Sequence, residues 1–141
     1  MSTEGFDPTQ GIYEAVTQGV TVRVQPRYLA GRSDAARGQH VWAYHVEVAN
    51  AGEATVQLVA RHWRITDGTG RTDRVDGPGV VGEQPILNPG DTFRYTSGCP
   101  LATDNGFMRG TFTMVREDGS SFEAEVPAFS LDTPQAPRPV N

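Results

Sequence analysis

Asp76-Gly77-Pro78-Gly79-Val80-Val81-Gly82-Glu83-Gln84-Pro85 is the densest run of special-geometry residues in the chain. Its Gly77-x-Gly79-x-x-Gly82 spacing is a pattern in which backbone amides cradle phosphate groups at the start of a helix. The segment Gln84-Pro85-Ile86-Leu87-Asn88-Pro89-Gly90, however, contains two prolines, and proline removes the amide that a helix interior needs. The stretch therefore reads as a glycine-dependent turn between strands. No helix starts there.

Period-two alternation runs on both sides of it. Upstream, Val41–Asn50 puts Trp42, Tyr44, Val46 and Val48 on one face and His45 and Glu47 on the other. In Val56–Asp67 the apolar parity changes between Leu58 and Trp63, which predicts a β-bulge near Ala60–His62 or a strand buried on both faces. A first strand is expected over Val20–Leu29, starting as early as Ile12, with Pro26 marking an edge or a bulge. Between these strands, Ala30–Gln39 is a polar loop containing Arg32 and Arg37.

Downstream, Arg71–Val75 is a short polar strand, and Asn88-Pro89-Gly90-Asp91 has the proline and glycine of a type II turn. Strands are then expected over Thr92–Ser97, Phe107–Arg116 and Ser121–Val126, the last two joined by a hairpin turn at Asp118-Gly119. Phe129 and Leu131 close the apolar pattern. Trp42, Tyr44, Trp63, Phe93, Tyr95 and Phe112 are the expected aromatic core. Sixteen Gly and ten Pro supply the turns. Seven to eight short strands without a helix predict an all-β, antiparallel β-sandwich of immunoglobulin-like or fibronectin type III-like architecture, with a small barrel as the alternative.

A length of 141 residues fits one domain. The division expected is a flexible lead-in over 1–11, the sandwich over 12–132 and a Pro-rich tail over 133–141. All twelve basic residues are Arg, yet the net charge is −5. That balance argues against a nucleic-acid partner. No apolar run reaches the length of a membrane span. The single Cys99 excludes an internal disulfide and a multi-cysteine metal site. Met1–Gly11 lacks the apolar core of a signal peptide, so the expected location is cytoplasmic.

Several pieces of the chain carry a family resemblance. Gly77-x-Gly79-Val80-Val81-Gly82-Glu83-Gln84-Pro85 with Leu87-x-Pro89-Gly90 resembles the ApaG family, also called CorD. Arg61-x-Trp63-x-Ile65-x-Asp67, Tyr95-x-Ser97-x-Cys99-Pro100-Leu101 and Phe122-x-Ala124-x-Val126-Pro127-x-Phe129-x-Leu131 fit the same family, and the likeness runs from about Val16 to Leu131. Two loops depart from it, at Ser33-Asp34 and at Thr103-Asp104-Asn105-Gly106. The resemblance implies a fibronectin type III-like sandwich with no settled enzymatic activity. It also implies links to cobalt resistance, magnesium efflux and the gene neighbourhood of a diadenosine-tetraphosphate hydrolase. In eukaryotes the domain is appended to larger proteins, including an F-box protein, which implies an interaction module.

Three roles are open to the glycine loop: a tight, glycine-dependent crossover between the two sheets, a protein-binding rim, or a cradle for a pyrophosphate-containing nucleotide. The candidate ligand-binding residues are Gly77, Gly79, Val80, Val81, Gly82 and Gln84, with Arg71, Arg74 and Arg109 as nearby charge. Asp76 and Glu83 flank the loop and would repel phosphate. No catalytic residues are assigned, because no nucleophile–base constellation is visible. His40, His45 and His62 lack metal-ligand spacing, so neither a metal nor a cofactor is expected. The expected partner is a protein, with a pyrophosphate or nucleotide as the alternative ligand, and the assembly is a monomer or homodimer.

Overall fold

The computed structural model describes residues 6–7 and 11–134. Strands β1 (Tyr13–Thr17), β2 (Val20–Tyr28), β3 (His40–Asn50), β4 (Val56–Asp67) and β5 (Thr72–Pro78) come first. After them come β6 (Ile86–Leu87), β7 (Thr92–Leu101), β8 (Asn105–Arg116) and β9 (Ser121–Asp132). Every pairing is antiparallel, in two sheets ordered β1-β2-β3-β7 and β5-β4-β8-β9, with β6 also beside β4. The sandwich is as expected, with nine strands among the described residues.

One further strand has a local cause. The first expected strand is in fact a hairpin, because Gln18 and Gly19 both have positive φ (46° and 82°) and turn β1 back onto β2. The Ala30–Gln39 loop holds two short 3₁₀ turns, Ala30–Arg32 and Ala35–Arg37. In the expected lead-in, Phe6 is buried and the Asp7 amide donates to Gln25 Oε1 at 2.6 Å, while Gln25 Nε2 donates back to the Asp7 carbonyl at 2.8 Å. Of the Pro-rich tail, residues 135–141 lie outside the described residues.

Apolar residues alternate into the space between the sheets, and Trp63 sits at its centre. Its ring meets Tyr44, Phe112 and Phe129 edge-on, with centroids 5.5, 6.0 and 6.2 Å away, the arrangement aromatic quadrupoles favour. Phe93 and Tyr95 are only partly buried at the rim of this core. The phase change foreseen in β4 is a register shift between Leu58 and Ala60, so the bulge lies at Val59.

Glu47 departs from the simple alternation, being 2% exposed on the outer face of the first sheet. It lies in a row that crosses all four strands of that sheet, Glu14–Arg23–Glu47–Arg94. Ion pairs of 2.7, 3.7 and 3.0 Å link the row in order. A buried carboxylate is tolerated when opposite charges flank it on both sides.

Candidate functional site

The glycine loop is an excursion from one interrupted edge strand and not the expected crossover between sheets, because the strands on both of its sides pair with β4. β5 pairs with residues 60–66 of β4, and β6 resumes beside the same strand at Val56 and Gln57. The intervening residues 79–85 fold back on themselves. Val80 and Glu83 form a bridge, with amide-to-carbonyl distances of 2.8 and 2.9 Å. Val81 and Gly82 lie between them with φ of 45° and 80°, the signature of a type I′ turn.

The Val59 bulge is what holds the loop. Its carbonyl accepts from the Gly79 amide at 2.8 Å and from Gln84 Nε2 at 2.8 Å. The Leu58 amide donates to the Pro85 carbonyl at 3.0 Å, and Gln57 Nε2 donates to the Gln84 carbonyl at 3.0 Å. Arg61 crosses Gly77, whose missing Cβ leaves room for the guanidinium, and Nη1 donates to the carbonyls of Pro78 and Gly79 at 2.9 and 3.1 Å. Val80 completes the attachment by burying its side chain in the core.

Much of the loop's donor capacity is already used internally. The amides of Gly79, Val80 and Glu83 already donate to main-chain carbonyls. Gly77 is a strand residue paired with Arg61. A phosphate cradle needs converging amides without partners, so most of the glycines here serve backbone geometry. Gly79 is the clearest case: φ is +57° and a Cβ there would lie 2.1 Å from the Glu83 carbonyl oxygen.

The loop also presents apolar surface to solvent, with Val81 51% and Ile86 62% exposed. Val81 is a β-branched residue at positive φ, a position such side chains avoid. Strain of this kind persists only where something else maintains it.

The three candidate arginines are not gathered at the loop. Arg71 lies beyond the opposite end of β5, 3.6 Å from Asp73. Arg74 and Arg109 do come together, through a residue the sequence reading passed over. Arg64 pairs with Arg74 on one side and with Arg109 on the other. All three are exposed on the outer face of the second sheet. Sequence reading also missed Arg61, whose anchoring role depends on its closeness to Gly77.

Next to the arginine row is a polar network. His62 Nδ1 lies 2.8 Å from Asp76 Oδ1, and Arg74 Nε donates to Asp76 Oδ2 at 3.0 Å. The hydrogen bond from His62, helped by the charge of Arg74, holds the Asp76 carboxyl below the usual range. His62 Nε2 lies 3.0 Å from Thr113 Oγ1. The order Asp76–His62–Thr113 resembles a nucleophilic relay. However, Glu123 Oε1 also lies 3.0 Å from the Thr113 hydroxyl and competes with the imidazole for its single proton.

Cys99 is 2% exposed, and burial pushes its thiol up to about 11, the opposite of an activated thiolate. Among the described residues no group of three or more His, Cys, Asp and Glu side chains is placed to hold a metal ion. None of their helices is long and apolar enough to cross a membrane. A cleft lined by Tyr13, Pro26, Arg27, Tyr28, Asp132 and Thr133 opens at the opposite edge of the sandwich, and no candidate residue lines it.

Comparison with known proteins agrees with this architecture. The ApaG domain model matches residues 30–116. Protein ApaG of Methylocella silvestris is 55% identical over 130 residues, covering 92% of this chain and all (100%) of that protein. Protein ApaG of Rhodospirillum centenum is 54% identical over 123 residues, covering 87% of this chain and 95% of its own. A crystal structure of the ApaA protein from Bordetella pertussis superposes with a TM-score of 0.80 at 50% identity, covering 83% of this chain and 95% of that one.

Proposed function

The chain belongs to the ApaG domain family, and from that premise we propose that it works as a non-enzymatic binding module that docks a partner protein on the glycine loop. The contact surface is the exposed apolar pair Val81 and Ile86, presented by a turn that Arg61 and the Val59 carbonyl hold in place. The observation that carries this reading is Val81, exposed at 51% with φ at 45°. Asn-Gly is the preferred pair for such a turn. A valine there costs the free protein about 1 kcal/mol and places an apolar side chain in water. Both costs make sense if the side chain fills a pocket on a partner, since buried apolar anchors dominate interface energetics.

The test is capture from an extract of the native host, with the wild-type chain and Val81→Asn as baits. Val81→Asn should raise the folding stability of the isolated domain by about 1 kcal/mol and lose the wild-type partner. An unchanged partner set would refute the reading. So would saturable NMR shifts of the Gly79–Glu83 amides with pyrophosphate, because they would show these groups exchanging their internal hydrogen bonds for a ligand.

A further inference from the structure

Charge is arranged oppositely on the two outer faces. On the first sheet, Glu14–Arg23–Glu47–Arg94 alternates in sign from strand to strand. On the second sheet, the row Arg74–Arg64–Arg109 places like charges directly opposite one another across both strand boundaries. Cross-strand neighbours of like charge are destabilising, and the same fold has an alternating ladder on its other side. Arg74 is partly compensated by Asp76 at 3.0 Å. Among the described residues, Arg64 and Arg109 are in no ion pair.

The residues around the row narrow the choice of ligand. On one side, in the same register, lies Thr72–Thr66–Phe107, with the Phe107 ring 43% exposed. On the other side lies Asp76–His62–Thr111–Glu125. Acidic neighbours and a net charge of −5 confine the positive field to one row, which is hostile to a long polyanion. Three arginines on adjacent strands span about 10 Å at roughly 4.8 Å per strand, the reach of a short phosphate chain. Guanidinium forks bind phosphate oxygens in pairs, and an exposed ring at the row's end is a stacking platform for a base.

We propose that the outer face of β5-β4-β8 is a binding site for the oligophosphate chain of a nucleotide, with Arg64, Arg74 and Arg109 on the phosphates and Phe107 against the base. The site is separate from the glycine loop and does not depend on the partner-docking reading.

The experiment is an NMR titration of the full chain with tripolyphosphate, ATP and an oligoglutamate peptide of matched charge, each at low and high salt. Tripolyphosphate should give saturable shifts at Arg64, Arg74 and Arg109. ATP should add shifts at the Phe107 ring. The double variant Arg64→Gln/Arg109→Gln should bind tripolyphosphate about tenfold or more weakly. Phe107→Ala should weaken ATP while leaving tripolyphosphate unchanged, which separates the base contact from the phosphate contact. Arg64→Gln alone should make the free protein more heat-stable, a gain that a purely structural arginine would not give. Flat titrations at millimolar ligand would overturn the proposal. Equal binding of oligoglutamate would overturn it in favour of an acidic peptide, and shifts confined to Gly79–Glu83 would overturn it in favour of the loop.

Discussion

Replacing Gly79 and Gly82 one at a time by alanine separates a glycine needed for space from a glycine needed only for φ. Both have positive φ, +57° and +80°, and alanine in that region costs about 1 kcal/mol. At Gly82 nothing lies within 4 Å of an added Cβ, so the whole effect should be about 1 kcal/mol. At Gly79 the Cβ would sit 2.1 Å from the Glu83 carbonyl oxygen, closer than any contact a side chain tolerates. The turn must open to relieve it, breaking the two Val80–Glu83 hydrogen bonds of 2.8 and 2.9 Å. At about 1 kcal/mol net for each lost bond, Gly79→Ala should cost about 3 kcal/mol in all. Urea unfolding monitored by tryptophan fluorescence measures both, and an unchanged denaturant slope would keep the comparison within one denatured state. In a thermal melt the two variants should fall roughly 12 °C (Gly79→Ala) and 4 °C (Gly82→Ala) below wild type. Equal losses, or a larger loss at Gly82, would refute the account of the loop as a closed internal turn.

The buried carboxylate and the thiol give two further tests. Arg94→Gln should destabilise by about 1–2 kcal/mol, less than a fully buried pair would lose, because Arg94 is 37% exposed and Arg23 remains near Glu47. A cycle with Glu47→Gln that returns no coupling between the two positions would remove the charge ladder as a stabilising element. Cys99 should resist a maleimide reagent at pH 8 in the native state and react at once in denaturant. The thiol is raised to about 11 and is therefore protonated below that pH in the folded protein. Rapid labelling of the folded chain would show that β7 opens around it.

The sandwich was legible because its best strands alternate cleanly. Trp42, Tyr44, Val46 and Val48 in β3, and Phe112 and Met114 in β8, all point into the core. The break in parity along β4 betrayed its bulge, and the position was missed by one residue because Val59 is apolar enough to belong to either face. The β1–β2 turn was not legible, since Gln18 is an unusual occupant of a positive-φ position and the apolar alternation runs on through it. At the glycine loop, composition revealed the turn. It could not reveal that three amides would already be hydrogen-bonded, because their acceptors, Val59, Val80 and Glu83, are main-chain carbonyls available at any residue. The arginine row was invisible for a different reason. Arg64, Arg74 and Arg109 lie on strands that become neighbours only through the sheet order, and that order depends on long-range packing.

The interruption of the edge strand bears on solubility. If β5 and β6 ran straight on through residues 79–85, they would present a long, flat row of unpaired amides and carbonyls, a template on which another chain could add a strand and begin a fibril. The excursion breaks that template in its middle, with Pro78 and Pro85 on either side and charged Asp73, Arg74 and Asp76 along the remaining stretch. A shortened loop, made to simplify the domain, would remove this guard. Such a variant, built to keep an apolar residue in the place of the buried Val80, should fold and still precipitate as concentration rises.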